Sequence, residues 1–103
     1  MSELLAKRLR AARLSAKLSQ EKLGGLAGID EMSSSARMNQ YERGKHVPDL
    51  SMVERIAKVL NLPVGYFYTE NDVEAELLCR FHALKAKEKK RVMEFISELD
   101  DRE

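Results

Sequence analysis

ARMNQYERGKHVPDL, residues 36–50, is the stretch on which the fold turns. It places Arg37, Asn39, Gln40, Arg43, Lys45 and His46 around a few apolar side chains, and Gly44 closes the helical pattern. At 100° per residue, Met38, Tyr41 and Glu42 gather on one side of a helix, while Ala36, Arg37, Asn39 and Gln40 spread over the other. The first set is expected to face inward. The second carries groups suited to base edges: arginine pairs with guanine O6 and N7, glutamine with adenine N6 and N7, and small side chains let a helix sit deep. Arg43, Lys45 and His46 follow the helix end, within reach of phosphates. For Lys45 and His46, simple solvation of a loop is an equal alternative. Glu42 is an acid on the inward side, and a buried charge must be paired or cost several kcal/mol. Arg13, which follows Leu9 and Ala12 on the inner face of the first helix, is the expected partner.

Outward from this stretch the pattern stays helical. Leu5, Leu9, Ala12 and Ala16 recur as one apolar face over residues 3–16. Ser19 is placed to cap a short second helix carrying Leu23, Leu26 and Ala27, with Gly28 as its stop. Gly24 and Gly25 inside that helix imply that another backbone passes very close. The serines of GIDEMSSS are expected to cap the third helix, which spans about residues 34–43. A fourth helix opens with a Ser51/Glu54 capping box and shows Leu50, Val53, Ile56, Ala57 and Leu60 as its core face. PVGYFY makes a fifth, short turn of helix whose aromatic residues close the core. No segment alternates with period two for long enough to form a strand, so the chain reads as all-α.

The whole-chain numbers set limits. With 103 residues, 44% of them apolar, the sequence supports one domain and a short appendage. The net charge is only +1, yet residues 1–47 hold nine Lys/Arg against five Asp/Glu, while residues 48–103 hold nine against twelve. Such asymmetry permits a polyanion surface on the basic half and does not demand one. The N-terminus MSELLAKRLR mixes acid, base and leucine without the apolar core of a secretion signal, so a cytoplasmic location is expected. Cys79 is the sole cysteine, and its spacing from His82 could supply two metal ligands with no others in view, so packing is the expected role. No nucleophile–base pair, metal set or phosphate-cradling glycine loop is present, so neither an enzyme nor a cofactor is expected.

SQEKL at 19–23, the glycine turn, MNQYERGKHVPDL at 38–50 and the downstream LPVGYF together resemble the Cro/CI-type (lambda-repressor-like, Xre) helix-turn-helix family over about residues 4–69. The resemblance implies a five-helix DNA-binding domain over residues 1–70, with helix 2 across the DNA backbone and helix 3 in the major groove. It implies base readout by Ser35, Ala36, Arg37 and Gln40, a phosphate contact at Gln20, and the internal Arg13–Glu42 ion pair. Asn39, Arg43, Lys45 and His46 complete the expected phosphate contacts. One departure stands out: Asp30, Glu31, Met32 and Ser33 are extra between Ile29 and Ser34. Either this turn bulges outward or it lengthens the start of helix 3; Asp30 and Glu31 would then sit near phosphates, which is unfavourable unless they point away or cap the helix dipole.

Residues 71–103 read as a two-helix extension. Asn71 to Glu74 form a cap, and Val73, Leu77, Phe81 and Leu84 are expected to point inward, followed by a last helix at about 87–99 with Val92, Ile96 and Leu99 on one side. Lys85, Lys87, Lys89, Lys90 and Arg91 are expected to be a solvated helix start. The apolar stripes either pack on their own domain or on a second copy through Leu77, Phe81, Val92, Ile96 and Leu99. A homodimer suits a double-stranded operator with two half-sites, and hence a repressor. The rival expectations are an antitoxin whose tail grips a toxin, and a protein-interaction scaffold on the same fold.

Overall fold

The computed structural model describes residues 2–101. Six α-helices and one 3₁₀ turn follow in order: α1 (Ser2–Ser15), α2 (Gln20–Leu26), α3 (Ser34–Glu42), α4 (Leu50–Leu60), the turn Val64–Tyr68, α5 (Asp72–Ala83) and α6 (Ala86–Asp100). Among the described residues there is no strand. The fifth expected helix is therefore a 3₁₀ turn, and it seats Phe67 in the core.

The core joins Leu5, Leu9 and Ala12 of α1, Leu23 of α2, Met38 and Tyr41 of α3, and Val53, Ile56 and Ala57 of α4. Removing such side chains from water contributes roughly 1.5–3 kcal/mol for each large one, which is why each helix shows one apolar stripe. Two stripes differ from the sequence expectation. Ala16 is exposed, because α1 ends at Ser15 and the chain turns through Lys17 in the left-handed region (φ 58°). Leu50 is 58% exposed, standing at the first residue of α4, two ahead of the buried Met52. Asp49, rather than Ser51, caps α4: its Oδ1 accepts from Met52 N at 2.8 Å.

Gly24 and Gly25 divide. A Cβ on Gly24 would lie 2.2 Å from Ser34 Oγ and 3.0 Å from Ser34 O, whereas one on Gly25 would meet nothing within 4 Å. Only Gly24 marks the α2–α3 approach. Ser34 is fully buried and its Oγ donates to Glu21 O (2.7 Å). No serine side chain caps α3: Ser33 holds the N-cap position with helical backbone angles (φ −108°, ψ −9°), not the extended ones a capping side chain uses. Gly28 (φ 94°) and Gly44 (φ 72°) end their helices in a backbone region that disfavours a side chain.

The extension leaves the body through a joint built on Arg8, which is 7% exposed. Its guanidinium donates to Thr69 O (2.8 Å) and Glu70 O (3.1 Å), pairs with Asp72 (3.0 Å) and lies 5.5 Å from the Tyr66 ring centre. Nothing in the sequence singles Arg8 out, since a charge on α1 reads as surface. Asn71 caps α5 as expected, its Oδ1 accepting from Glu74 N at 2.9 Å. The inward face of α5 is rotated from the expected one. Ala75 is buried and Leu78, Cys79, Phe81 and Leu84 are half-buried, while Val73 and Leu77 are exposed, so only part of the expected stripe turns inward, where α5 packs on the 3₁₀ turn. α6 buries no residue, and with it the molecule reaches 54 × 26 × 22 Å.

Tyr66 and Cys79 meet at this joint, and burial is the first cause that pushes both groups above their ordinary pKa values. The unfolded chain ionises first, so their stability contribution is complete below the ordinary thiol value of about 8.5 and is lost as pH rises through the folded-state values. Urea midpoints measured from pH 7 to pH 10 are expected to fall on the alkaline side, and Cys79→Ala should flatten the first part of that fall.

Candidate nucleic-acid interface

α3 has a buried face and an open face. Met38 has no exposed surface, and Tyr41 and Glu42 are buried, Glu42 against Arg13 of α1 and Gln20 of α2. Ser35, Ala36, Arg37 and Arg43 are exposed, and Asn39 and Gln40 are half-buried at the edges. The roll expected from the 100° spacing is the roll observed.

Beneath that face lies a polar network. Arg13 Nε donates to Glu42 Oε2 at 2.6 Å and Nη2 to Oε1 at 3.0 Å, a two-pronged charge-assisted pair. The Glu42 side chain is 2% exposed and that of Arg13 is 11% exposed. The hydrogen bond from Arg13 to Glu42 raises the arginine pKa above its already high ordinary value, so the guanidinium stays charged. Arg13 Nη1 also donates to Leu18 O (2.9 Å), tying the α1–α2 turn to the same carboxylate.

Gln20 enters this network rather than standing clear of it. Its Nε2 donates to Glu42 Oε1 (3.2 Å) and Asn39 Oδ1 (3.3 Å). Both amide hydrogens are thus turned inward, and the Asn39 amide nitrogen has no partner among the described residues. Gln20, Asn39 and Arg43 line one recess together with Arg10, Ser19 and Ser35. Nothing in the sequence motif points to Arg10, though it stands three residues before Arg13 and so shares its side of α1.

A second, shallow groove is lined by Arg37, Gln40, Tyr41, His46 and Val47. It brings the third helix and the loop after it onto one surface. Lys45 is exposed on the same loop, whose turn is held by Lys45 N and His46 N donating to Gln40 O. Ser35 and Ala36 stand at the α3 start with Arg37 next to them; Asn39 and Arg43 line the first recess, and Arg37, Gln40 and His46 the second.

The extra residues 30–33 form a turn outside α3, which still begins at Ser34. Asp30 Oδ2 accepts from Met32 N (3.1 Å) and Asp30 O accepts from Ser33 N (2.9 Å). The insertion is therefore a bulge, and the Asp30 carboxylate is occupied within it.

Residues 4–65 match the family described as the helix-turn-helix domain. The chain belongs to the helix-turn-helix regulators. This helix-turn-helix chain is similar to the crystallised transcriptional regulator BswR, with 45% sequence identity, a TM-score of 0.85, and coverage of 90% of this chain and 92% of that one. It is also 33% identical over 63 residues to two proteins named uncharacterized HTH-type transcriptional regulators, from Sinorhizobium medicae and Rhizobium meliloti. The matched part is 61% of this chain and 42% of each of those proteins, so the likeness spans less than half of their length. No helix among the described residues is long and apolar enough to cross a membrane, and no group of three or more metal-ligating side chains is found among them.

Proposed function

We propose that this helix-turn-helix chain is a sequence-specific regulator of the Cro/CI type that binds double-stranded DNA as a homodimeric repressor. The observation that carries the reading is the roll of α3, with Met38, Tyr41 and Glu42 inside and Ser35, Ala36 and Arg37 outside. In this reading α3 enters the major groove, where Arg37 and Gln40 meet base edges beside Ser35 and Ala36. Asn39, Arg43, Lys45 and His46 take phosphates, and Gln20 acts mainly by orienting Asn39. The tail supplies the second copy's docking face, since Leu77, Ile96 and Leu99 are exposed and α6 is unburied. Two copies then present their recognition helices about 34–36 Å apart, the spacing of successive major grooves on one DNA face.

Selecting bound duplexes from a random pool tests the reading as a whole. The expected winner is a palindrome with two half-sites. A preferred single half-site would remove the dimer, leaving the tail face for a partner protein. On the winning duplex, Arg37→Ala should lose about 1–3 kcal/mol and relax choice at one base pair per half-site. Equal weakening on every sequence would contradict base readout by Arg37.

A further inference from the structure

Met32 is the most exposed large apolar side chain among the described residues, at 92%. It does not sit on a loose loop. Ile29 N donates to Gly24 O (2.9 Å) ahead of the turn, the Asp30 carboxylate and carbonyl close it, and the buried Ser34 anchors its far end through Glu21 O. The chain thus holds a methionine out in water on a turn tied down on both sides. The turn also has a definite place. In the chain Met32 precedes the first residue of α3 by two, just ahead of the exposed Ser35, Ala36 and Arg37.

Charge restricts what such a turn can meet. Glu31 is exposed and Asp30 stands beside it, so a strand of phosphates is a poor neighbour. The floor of the major groove is different, because it offers cytosine amino donors and the thymine C5-methyl group. A thioether side chain is apolar, polarisable and adaptable, which suits contact with a methyl. An anchored turn also loses little freedom on binding.

We infer that Met32 contacts a thymine methyl at the edge of each half-site, making the extra turn a second specificity element beside α3. This rests on the DNA-reading function proposed above. The test uses the full chain and the duplex it selects from a random pool, with uracil put in place of each thymine in turn. Uracil lacks only the methyl. One substitution per half-site is expected to weaken wild-type binding about three- to fivefold. Met32→Ala should show the same loss on the thymine duplex and no further loss from that uracil. Its thermal midpoint should be unchanged, because the side chain packs on nothing. Equal affinity of Met32→Ala and wild type on every duplex would overturn the inference and leave the methionine to a protein partner. A loss in Met32→Ala that ignores the thymine-to-uracil changes would overturn it as well. If the wild-type chain selects no sequence at all, the failure lies with the DNA-reading function itself.

Discussion

Glu42→Ala is expected to lower stability by about 3–5 kcal/mol, because removing one member of a buried ion pair strands the other. Arg13 would keep only Leu18 O, with its side chain 11% exposed and its guanidinium still charged. Arg13 of α1 and Gln20 at the start of α2 both lose the carboxylate at the end of α3 that accepts from them. Urea unfolding reads the loss directly, and a change below about 1 kcal/mol would mean that the pair is solvated in practice. Glu42→Gln preserves the shape but not the charge and should fall between. The double variant Arg13→Met, Glu42→Leu separates two roles of the pair. Its stability should return close to wild type, since apolar replacement of a buried pair is often neutral or better. DNA binding should stay impaired, because Gln20 and Asn39 would no longer be held in register.

Gly24→Ala is expected to cost about 1–3 kcal/mol through overpacking, and to weaken duplex binding more than the stability change alone explains. The added Cβ would stand 2.2 Å from Ser34 Oγ. Rotating that hydroxyl away breaks its bond to Glu21 O, and the Ser34 carbonyl at 3.0 Å cannot rotate. Relief requires α3 to move off α2, which tilts the face carrying Arg37 and Gln40. Gly25→Ala is the internal control. It meets nothing within 4 Å and should stabilise α2 by up to about 1 kcal/mol through helix propensity. Thermal unfolding of the two variants therefore should move in opposite directions, and parallel losses would refute the close-approach argument.

These pairs also show where sequence reasoning carries and where it stops. The inner face of α3 was legible because helical periodicity places Met38, Tyr41 and Glu42 together whatever surrounds them. The Arg13–Glu42 pair was legible because an acid on a greasy face demands a cation. Between Gly24 and Gly25 no local rule chooses; the choice depends on which of them Ser34 crosses. Asp49 displaced Ser51 as the α4 cap because either residue suits a cap, and the helix start was set by where the loop brings the chain back to the core. The stripe of α5 was misplaced for a similar reason. Apolar residues on more than one side of a short helix permit more than one roll, and the one adopted turns Leu78 toward Gly65 and Cys79 toward Tyr66 of the 3₁₀ turn.

Helix count, helix order and the outward side of α3 are thus properties of spacing and residue type, because local periodicity and turn chemistry act within a few residues. Which glycine is indispensable, which way the α5 surface faces, and whether Gln20 points out or into the Arg13–Glu42 network depend on contacts between distant segments. Those were settled only when the helices packed, since side-chain volume and unmet hydrogen-bond donors act through space and leave no periodic trace along the chain.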